Sequence, residues 1–337
     1  MNKINIKNKK ILYIGPASVY YDQCLIKKLE DRGATVTKFD LLNIFSDNLL
    51  FRTYIKFLPK TKEEIYNGYK NKFYEKVYAG GLGYDYVLIR HGYQLDVSFL
   101  KNLRKKSPHA MFVNFHWDSL RSDYDYLHNM NCYDKIYSFD VKDCEDHKDI
   151  IYRPLFFLDV YENFRIKTFD NFTKKVCDLL FIGAWRNKER LSLINQTEQL
   201  CKKSNLNFQH YLYLSFKRHV YLIKKGVIPV KTKMKILTHE QILSYFATTN
   251  TIIDFPSSFQ TGMTIRTFEA LGAGKKLITT NKNIINEPFY DEQYINVVDM
   301  DNLSLNIDFI NSVPTRSIEE KLSNYSLDSY INTILQK

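Results

Sequence analysis

The 337-residue chain has no C-x-x-C pair among its five cysteines, no run approaching about 18 apolar residues, and no acid between Glu198 and Glu240. The cysteines (24, 132, 144, 177 and 201) are far apart and odd in number, which argues against a disulfide framework or a zinc knuckle and for a reducing compartment. Without a long apolar run, no segment is expected to span a membrane. The N-terminal "MNKINIKNKKILYIG" is basic and then apolar, but its apolar part is too short for a secretory core and lacks a small-residue cleavage site. A cytoplasmic location is therefore expected. Walker A, G-x-S-x-G and ordered G-x-G-x-x-G motifs are absent, and the glycine-rich "GGLGYD" at 80–85 precedes a strand instead of following one, so it reads as a loop. No histidine cluster has zinc-like spacing. D-x-D occurs at Asp123-Tyr124-Asp125 and Asp299-Met300-Asp301, in neither case after an apolar strand, so no essential metal is expected.

What is present is a globular composition: 45% hydrophobic, 25% charged and 15% aromatic residues, the last from 25 Tyr and 23 Phe. The length predicts two domains of roughly 150 residues each. The net charge of +11 is uneven: nine Lys or Arg stand between Glu198 and Glu240, interleaved with Phe208, Tyr211, Tyr213, Phe216 and Tyr221. This segment, 208–235, reads as a solvated cationic face, a surface for anionic lipid headgroups on the inner membrane face, or a wall of an anionic ligand site. No RNA- or DNA-binding motif accompanies it, so nucleic acid is not expected as a partner.

Short apolar runs alternate with amphipathic segments. "KKILYIGP", "ATVTKFDL", "YDYVLIRHG", "HAMFVNFHWD" and "YDKIYSFD" read as strands, with helices at "YDQCLIKKLEDRG", closed by Gly33, and at 97–106. Such runs suit a parallel sheet covered on both faces. After an irregular stretch with Pro154 as a hinge, the pattern restarts: "CDLLFIGAWRNKER", "NFQHYLYL", "HEQILSYFATT", "TIIDF", "KKLITTN" and "YINVVD". The expectation is an α/β fold of two facing, doubly wound, Rossmann-like domains with a cleft between them. The boundaries are expected at 1–158 and 159–315, with 316–337 a C-terminal helix packing back toward the first domain.

The most informative stretch is "TGMTIRTFEALGAGKKLITT", 261–280. A strand at 252–255 and a helix at 263–272 put Thr261 and Gly262 in the loop at a strand's carboxyl end, ahead of a helix N-terminus suited to phosphate. Arg266, one turn in, can add a bidentate contact to the same anion, and Glu269, three residues on, can accept from a ribose diol. The competing reading is an Arg–Glu pair on an ordinary helix ended by Gly272-Ala273-Gly274. In "DLLFIGAWRNKER", Gly183 is expected to turn the chain after its strand, letting Arg186 and Arg190 reach a diphosphate.

These segments resemble the donor half of GT-B glycosyltransferases, and "VNFHWDSL", "YDKIYSFDVKDC" and "YRPLFF" resemble enzymes of bacterial capsule and lipopolysaccharide synthesis. The resemblance covers about half the chain. It implies a GT-B architecture and transfer of a sugar from a nucleotide-sugar to a saccharide or lipid-linked saccharide acceptor, with no cofactor. Many retaining members carry two glutamates eight positions apart; here the partner position of Glu269 is Leu277, which leaves Glu269 as the ribose-binding member. A base for the acceptor hydroxyl is sought at strand ends of the first domain, where Asp118 and His91 are rivals and Asp140 a further candidate. A sugar-nucleotide epimerase of similar fold, or a non-catalytic nucleotide-binding scaffold, remains the alternative.

Overall fold

The computed structural model describes residues 3–41, 62–120, 127–165, 176–257 and 259–336. It divides into two compact units, Met1–Pro154 with Asp328–Lys337, and Leu155–Leu327. The Asp123-Tyr124-Asp125 motif lies outside the described residues.

The first unit runs β1 (Lys10–Gly15), α1 (Tyr20–Asp31), β2 (Thr35–Asp40), α2 (Lys62–Ala79), β3 (Tyr86–Arg90), α3 (Val97–Lys106), β4 (Met111–His116), β5 (Lys135–Ser138), α4 (Val141–Asp146) and β6 (Ile150–Tyr152). The strands form a parallel sheet in the order β2-β1-β3-β4-β5-β6. Every residue of β3 and β4 is buried, as expected of strands covered on both faces and rich in Val, Ile, Leu and Phe. One layer of that cover is α2 and α3, whose Tyr74 and Phe99 rings stack 4.0 Å apart.

The second unit repeats the design with β7 (Cys177–Ala184), α5 (Lys188–Lys203), β8 (Phe208–Tyr213), α6 (Phe216–Lys224), β9 (Thr232–Lys233), α7 (His239–Ala247), β10 (Thr249–Asp254), α8 (Ile265–Gly272), β11 (Lys276–Thr279), β12 (Ile295–Val297), α9 (Ile307–Asn311) and α10 (Glu319–Leu322). Its parallel sheet has the order β12-β11-β10-β7-β8-β9, so the winding reverses between β7 and β10. In such sheets a crevice opens at the carboxyl ends of the two strands that flank the reversal. A buried lysine ties β11 to the end of α9: Lys276 donates from Nζ to the carbonyls of Ile310 (2.9 Å) and Ser312 (2.6 Å), filling orphan acceptors there.

The C-terminal stretch differs from the single helix expected. Backbone hydrogen bonds from Phe157 N to Tyr325 O (3.0 Å) and from Leu327 N to Phe157 O (3.1 Å) hold Ser326 extended, and they separate α10 from α11 (Leu327–Leu335). Residues 316–327 therefore belong with the second unit, and the return to the first unit starts at Asp328. Within that unit α11 inserts Tyr330, whose hydroxyl accepts from Trp117 Nε1 at 2.9 Å.

Candidate functional site

The β7–α5 and β10–α8 loops meet where the second sheet reverses. Arg190 joins them: its guanidinium donates from Nη1 to Ala184 O (2.9 Å) and from Nη2 to Phe255 O, the carbonyls at the ends of β7 and β10. Asn187 caps α5 by accepting from Arg190 N at 3.0 Å, which fixes the residue that carries the clamp. Burial lowers the Arg190 pKa while Asp254 opposes the shift, and the group stays cationic. The guanidinium is thus occupied under the loops, not extended toward a diphosphate as the sequence implied. Arg186, in the loop between β7 and α5, is exposed.

Gly183 also has a different role from the one expected. It lies inside β7, paired with Leu212, and the chain turns only beyond Ala184. A Cβ at this position would meet the Phe181 ring at 2.8 Å, so close packing explains the glycine.

At the head of α8, Thr264 occupies the capping position but makes no cap hydrogen bond; its hydroxyl donates instead to Asp254 Oδ2 at 2.5 Å. No side chain caps this eight-residue helix; Thr267 N donates to Thr264 O at 3.1 Å, and the N–H groups of Ile265 and Arg266 head the first turn. At the carboxyl ends of β10, β11 and β12 a cavity of about 260 Å³ is lined by Ser257, Gln260, Thr261, Asn281 and Asp299 among others. Asn281, at the end of β11, shapes it: Nδ2 donates to Thr261 O (3.2 Å) and Gly262 O (3.1 Å), and Oδ1 accepts from Asn283 N (3.1 Å). Sequence reading alone misses Asn281. The available signal was an amide side chain directly after an apolar strand, opposite a glycine loop.

Arg266 and Glu269 share a face of α8, as their spacing requires, but that face turns inward. Glu269 is wholly buried; Tyr161 Oη donates to its Oε1 at 2.7 Å, and Arg266 Nη1 lies 2.5 Å from Oε2. The Arg266 guanidinium also lies over the Phe246 ring of α7, 5.4 Å from its centre. Burial pushes the Glu269 carboxyl well above its usual range and lowers Arg266. Both glutamate oxygens thus have protein partners, in place of the open carboxylate expected to meet a ribose. Leu277 is buried within β11, so no side chain there reaches a ligand. Gly274 ends the helix segment with φ +66°, and Gly272 packs against Phe157, whose Cγ would lie 2.5 Å from an added Cβ.

In the first unit the structure brings His91 and Asp118 together, with Nε2 and Oδ2 3.4 Å apart at the carboxyl ends of β3 and β4. The Asp118 carboxylate is two-thirds exposed, whereas the imidazole is nearly buried. His91 has φ +66°, and its carbonyl accepts from Asn114 Nδ2 at 3.0 Å, which holds this turn. Burial, Arg90 and His116 all depress the His91 pKa, so its imidazole is neutral at pH 7. Below the pair lies a buried network: Tyr13 donates to Asp22, Arg90 Nη1 meets Asp22 Oδ2 at 2.9 Å, and Arg90 lies 4.3 Å over the Trp117 ring. Asp140 is a structural cap on α4, accepting from Lys142 N at 3.1 Å, so it drops out as a base.

The second D-x-D is a turn: Asp299 accepts from the N–H groups of Asp301 (2.8 Å) and Asn302 (3.2 Å) and pairs with Lys282 at 2.7 Å. Among the described residues, no group of three or more His, Cys, Asp or Glu is arranged to hold a metal ion.

No family model matches the sequence, and no curated protein matches it. Solved structures do match over nearly the whole chain. An α-glucosyltransferase in complex with UDP and a mismatched DNA gives a TM-score of 0.55 at 12% identity, covering 97% of this chain and 94% of that one. The catalytic domain of starch synthase IV from Arabidopsis thaliana, bound to ADP and acarbose, gives 0.52 at 10% identity, covering 98% and 96%. A protein described as a UDP-N-acetylglucosamine 2-epimerase from Listeria monocytogenes gives 0.50 at 12% identity, covering 97% and 94%. At this identity the likeness speaks for the fold. The chain has the fold of GT-B glycosyltransferases, two doubly wound Rossmann-like domains, which UDP-N-acetylglucosamine 2-epimerases also resemble.

Proposed function

We propose that this chain transfers a sugar from a nucleotide-sugar to a saccharide acceptor, with the donor on the second unit at the carboxyl ends of β7 and β10. The observation that carries the reading is the 260 Å³ cavity at the carboxyl ends of β10 and β11, walled by Ser257 and Thr261 of the loop that leads into α8 and by Asn281, which holds that loop. Backbone N–H groups and the positive end of the helix suit a diphosphate. The exposed Arg186 adds a cation on the same side, and Thr261, Gly262 and Asn281 form the loop wall. Arg190 holds the two loops at their working separation, and the Tyr161–Glu269–Arg266 cluster supports α8 from beneath.

In the first unit Asp118 takes the acceptor proton, oriented by neutral His91; an exposed carboxylate 3.4 Å from an imidazole suits that role. The reaction needs no metal in this reading. The resemblance of "VNFHWDSL" and "YDKIYSFDVKDC" to capsule and lipopolysaccharide enzymes supports a growing cell-surface polysaccharide, free or lipid-linked, as the acceptor. A 2-epimerase is the second reading, favoured by the equal coverage of the Listeria protein.

The test is incubation with UDP-, GDP- and CMP-sugars, with and without oligosaccharide acceptors, following nucleotide release and the sugar's proton NMR. Acceptor-dependent release supports transfer. A changed sugar configuration without net release supports epimerisation. The absence of both reactions with every donor overturns the enzymatic reading.

A further inference from the structure

The segment after β8 places its apolar side chains on the outside. In α6, Leu222 is buried and anchors the helix, while Phe216, Val220 and Ile223, spaced i, i+4 and i+7, form a stripe on the opposite side. An apolar stripe at that spacing normally faces a core; here Phe216 is 68% and Ile223 52% exposed, with Val220 partly covered. The exposed character continues past the helix in Ile228, Met234 and Ile236. Of the sixteen large apolar side chains exposed among the described residues, seven lie between 216 and 236, so the clustering is not the scatter normal for a protein surface.

The charge around the stripe identifies what covers it. Lys217, Lys224, Lys225, Lys233 and Lys235 are exposed in the same segment, which contains no acid from 199 to 239. Among the described residues, none of these five lysines makes an ion pair. Not every cation of the segment is available: Lys231 is held by Glu198, and Arg218 lies over the Trp185 ring and donates to Arg186 O at 3.3 Å. A partner must therefore be anionic at its surface and apolar just beneath it. A nucleic acid offers the first property without a bed for Phe, Ile and Met side chains. We infer that α6 and the segment 228–236 form a docking surface for a bilayer with anionic headgroups, the apolar stripe entering the headgroup–acyl boundary and the lysines resting among the phosphates. Each lysine close to such a surface contributes about fivefold to partitioning. This inference is independent of the donor-site reading, since it uses none of the same side chains.

The test is flotation of the whole chain with vesicles of phosphatidylcholine alone and of equal parts phosphatidylcholine and phosphatidylglycerol, at low and high salt. Binding is expected only to the anionic vesicles, and weaker in high salt. The double variants Phe216→Ser with Ile223→Ser, and Lys217→Glu with Lys224→Glu, should each weaken it by more than about tenfold. All four side chains are exposed, so both variants should keep the parent melting midpoint and any nucleotide-induced shift; those two readouts separate lost docking from lost folding. No binding to anionic vesicles at low salt overturns the inference. So does unchanged binding by the Phe216/Ile223 variant, or selective binding of a short DNA duplex with no affinity for vesicles.

Discussion

Arg190 offers the sharpest perturbation of the donor site. Its two bonds, to Ala184 O and Phe255 O, hold together the two strand ends that flank the reversal of the second sheet. A hydrogen bond from a charged donor contributes about 1.5–3 kcal/mol, and the two carbonyls lie at the carboxyl ends of the central strands, where water admitted by a smaller side chain can satisfy them in part. Arg190→Ala is therefore expected to cost about 2–4 kcal/mol. For a unit of this size that lowers its melting midpoint by roughly 4–16 °C. Arg190→Lys should recover little, because an ammonium is a point donor and the two carbonyls call for a planar fork. The loss should also reach the ligand: with the loops unclamped, nucleotide affinity should fall more than tenfold in the lysine variant, measured by titration at a temperature where it is folded. A lysine variant that melts and binds like the parent would refute the clamp, and with it the assignment of these loops as the donor wall.

Other outcomes follow from the same geometry. His116 is buried with its pKa lowered to about 3 from an ordinary 6.5, so the folded state binds fewer protons than the unfolded one between those values, and the contribution of this residue is lost as pH falls. His116→Gln should therefore flatten the decline in stability from pH 6.5 to about 4.5 by about 2–3 kcal/mol relative to the parent, measured by urea unfolding at each pH. Asp22 has the opposite sign: burial raises it to about 6, so it favours the fold at low pH and that contribution fades as pH rises from about 4 to about 6; Asp22→Asn should remove that fall. Gly272→Ala should destabilise by about 1–3 kcal/mol, because its Cβ would meet the fully packed Phe157 ring at 2.5 Å, and a combined Phe157→Leu should restore part of the loss. Glu269→Gln should cost about 1–3 kcal/mol, since with its oxygen on Tyr161 its amide N–H faces the Arg266 guanidinium, donor against donor; Glu269→Ala should cost about 2–4 kcal/mol by removing the acceptor of both.

The sheets were legible because buried parallel strands are written as unbroken apolar runs: "YVLIR" and "MFVNFH" could be located without knowing their neighbours. The 97–106 helix and the end of α8 in Gly-Ala-Gly were local signals of the same kind. The inward turn of Arg266 and Glu269 was not local. Spacing gives a shared face, but which way that face points depends on Tyr161 and Phe246, brought in from other parts of the chain. The break in the C-terminal helix likewise comes from pairing with Phe157, a residue remote in sequence. Arg190 was legible as a cation at a strand end, but not as one occupied by two carbonyls, because Phe255 enters only through the sheet order.

The central claim, a nucleotide-sugar bound at the head of α8, is tested most directly by the melting midpoint of the whole chain against UDP, GDP, CMP and ADP and their sugars. A ligand at 100 times its dissociation constant adds about 2.7 kcal/mol to a folded state that alone binds it. The account predicts a rise of several degrees with one base family, and its loss in Arg190→Lys. No rise with any of these ligands at millimolar concentration would contradict it.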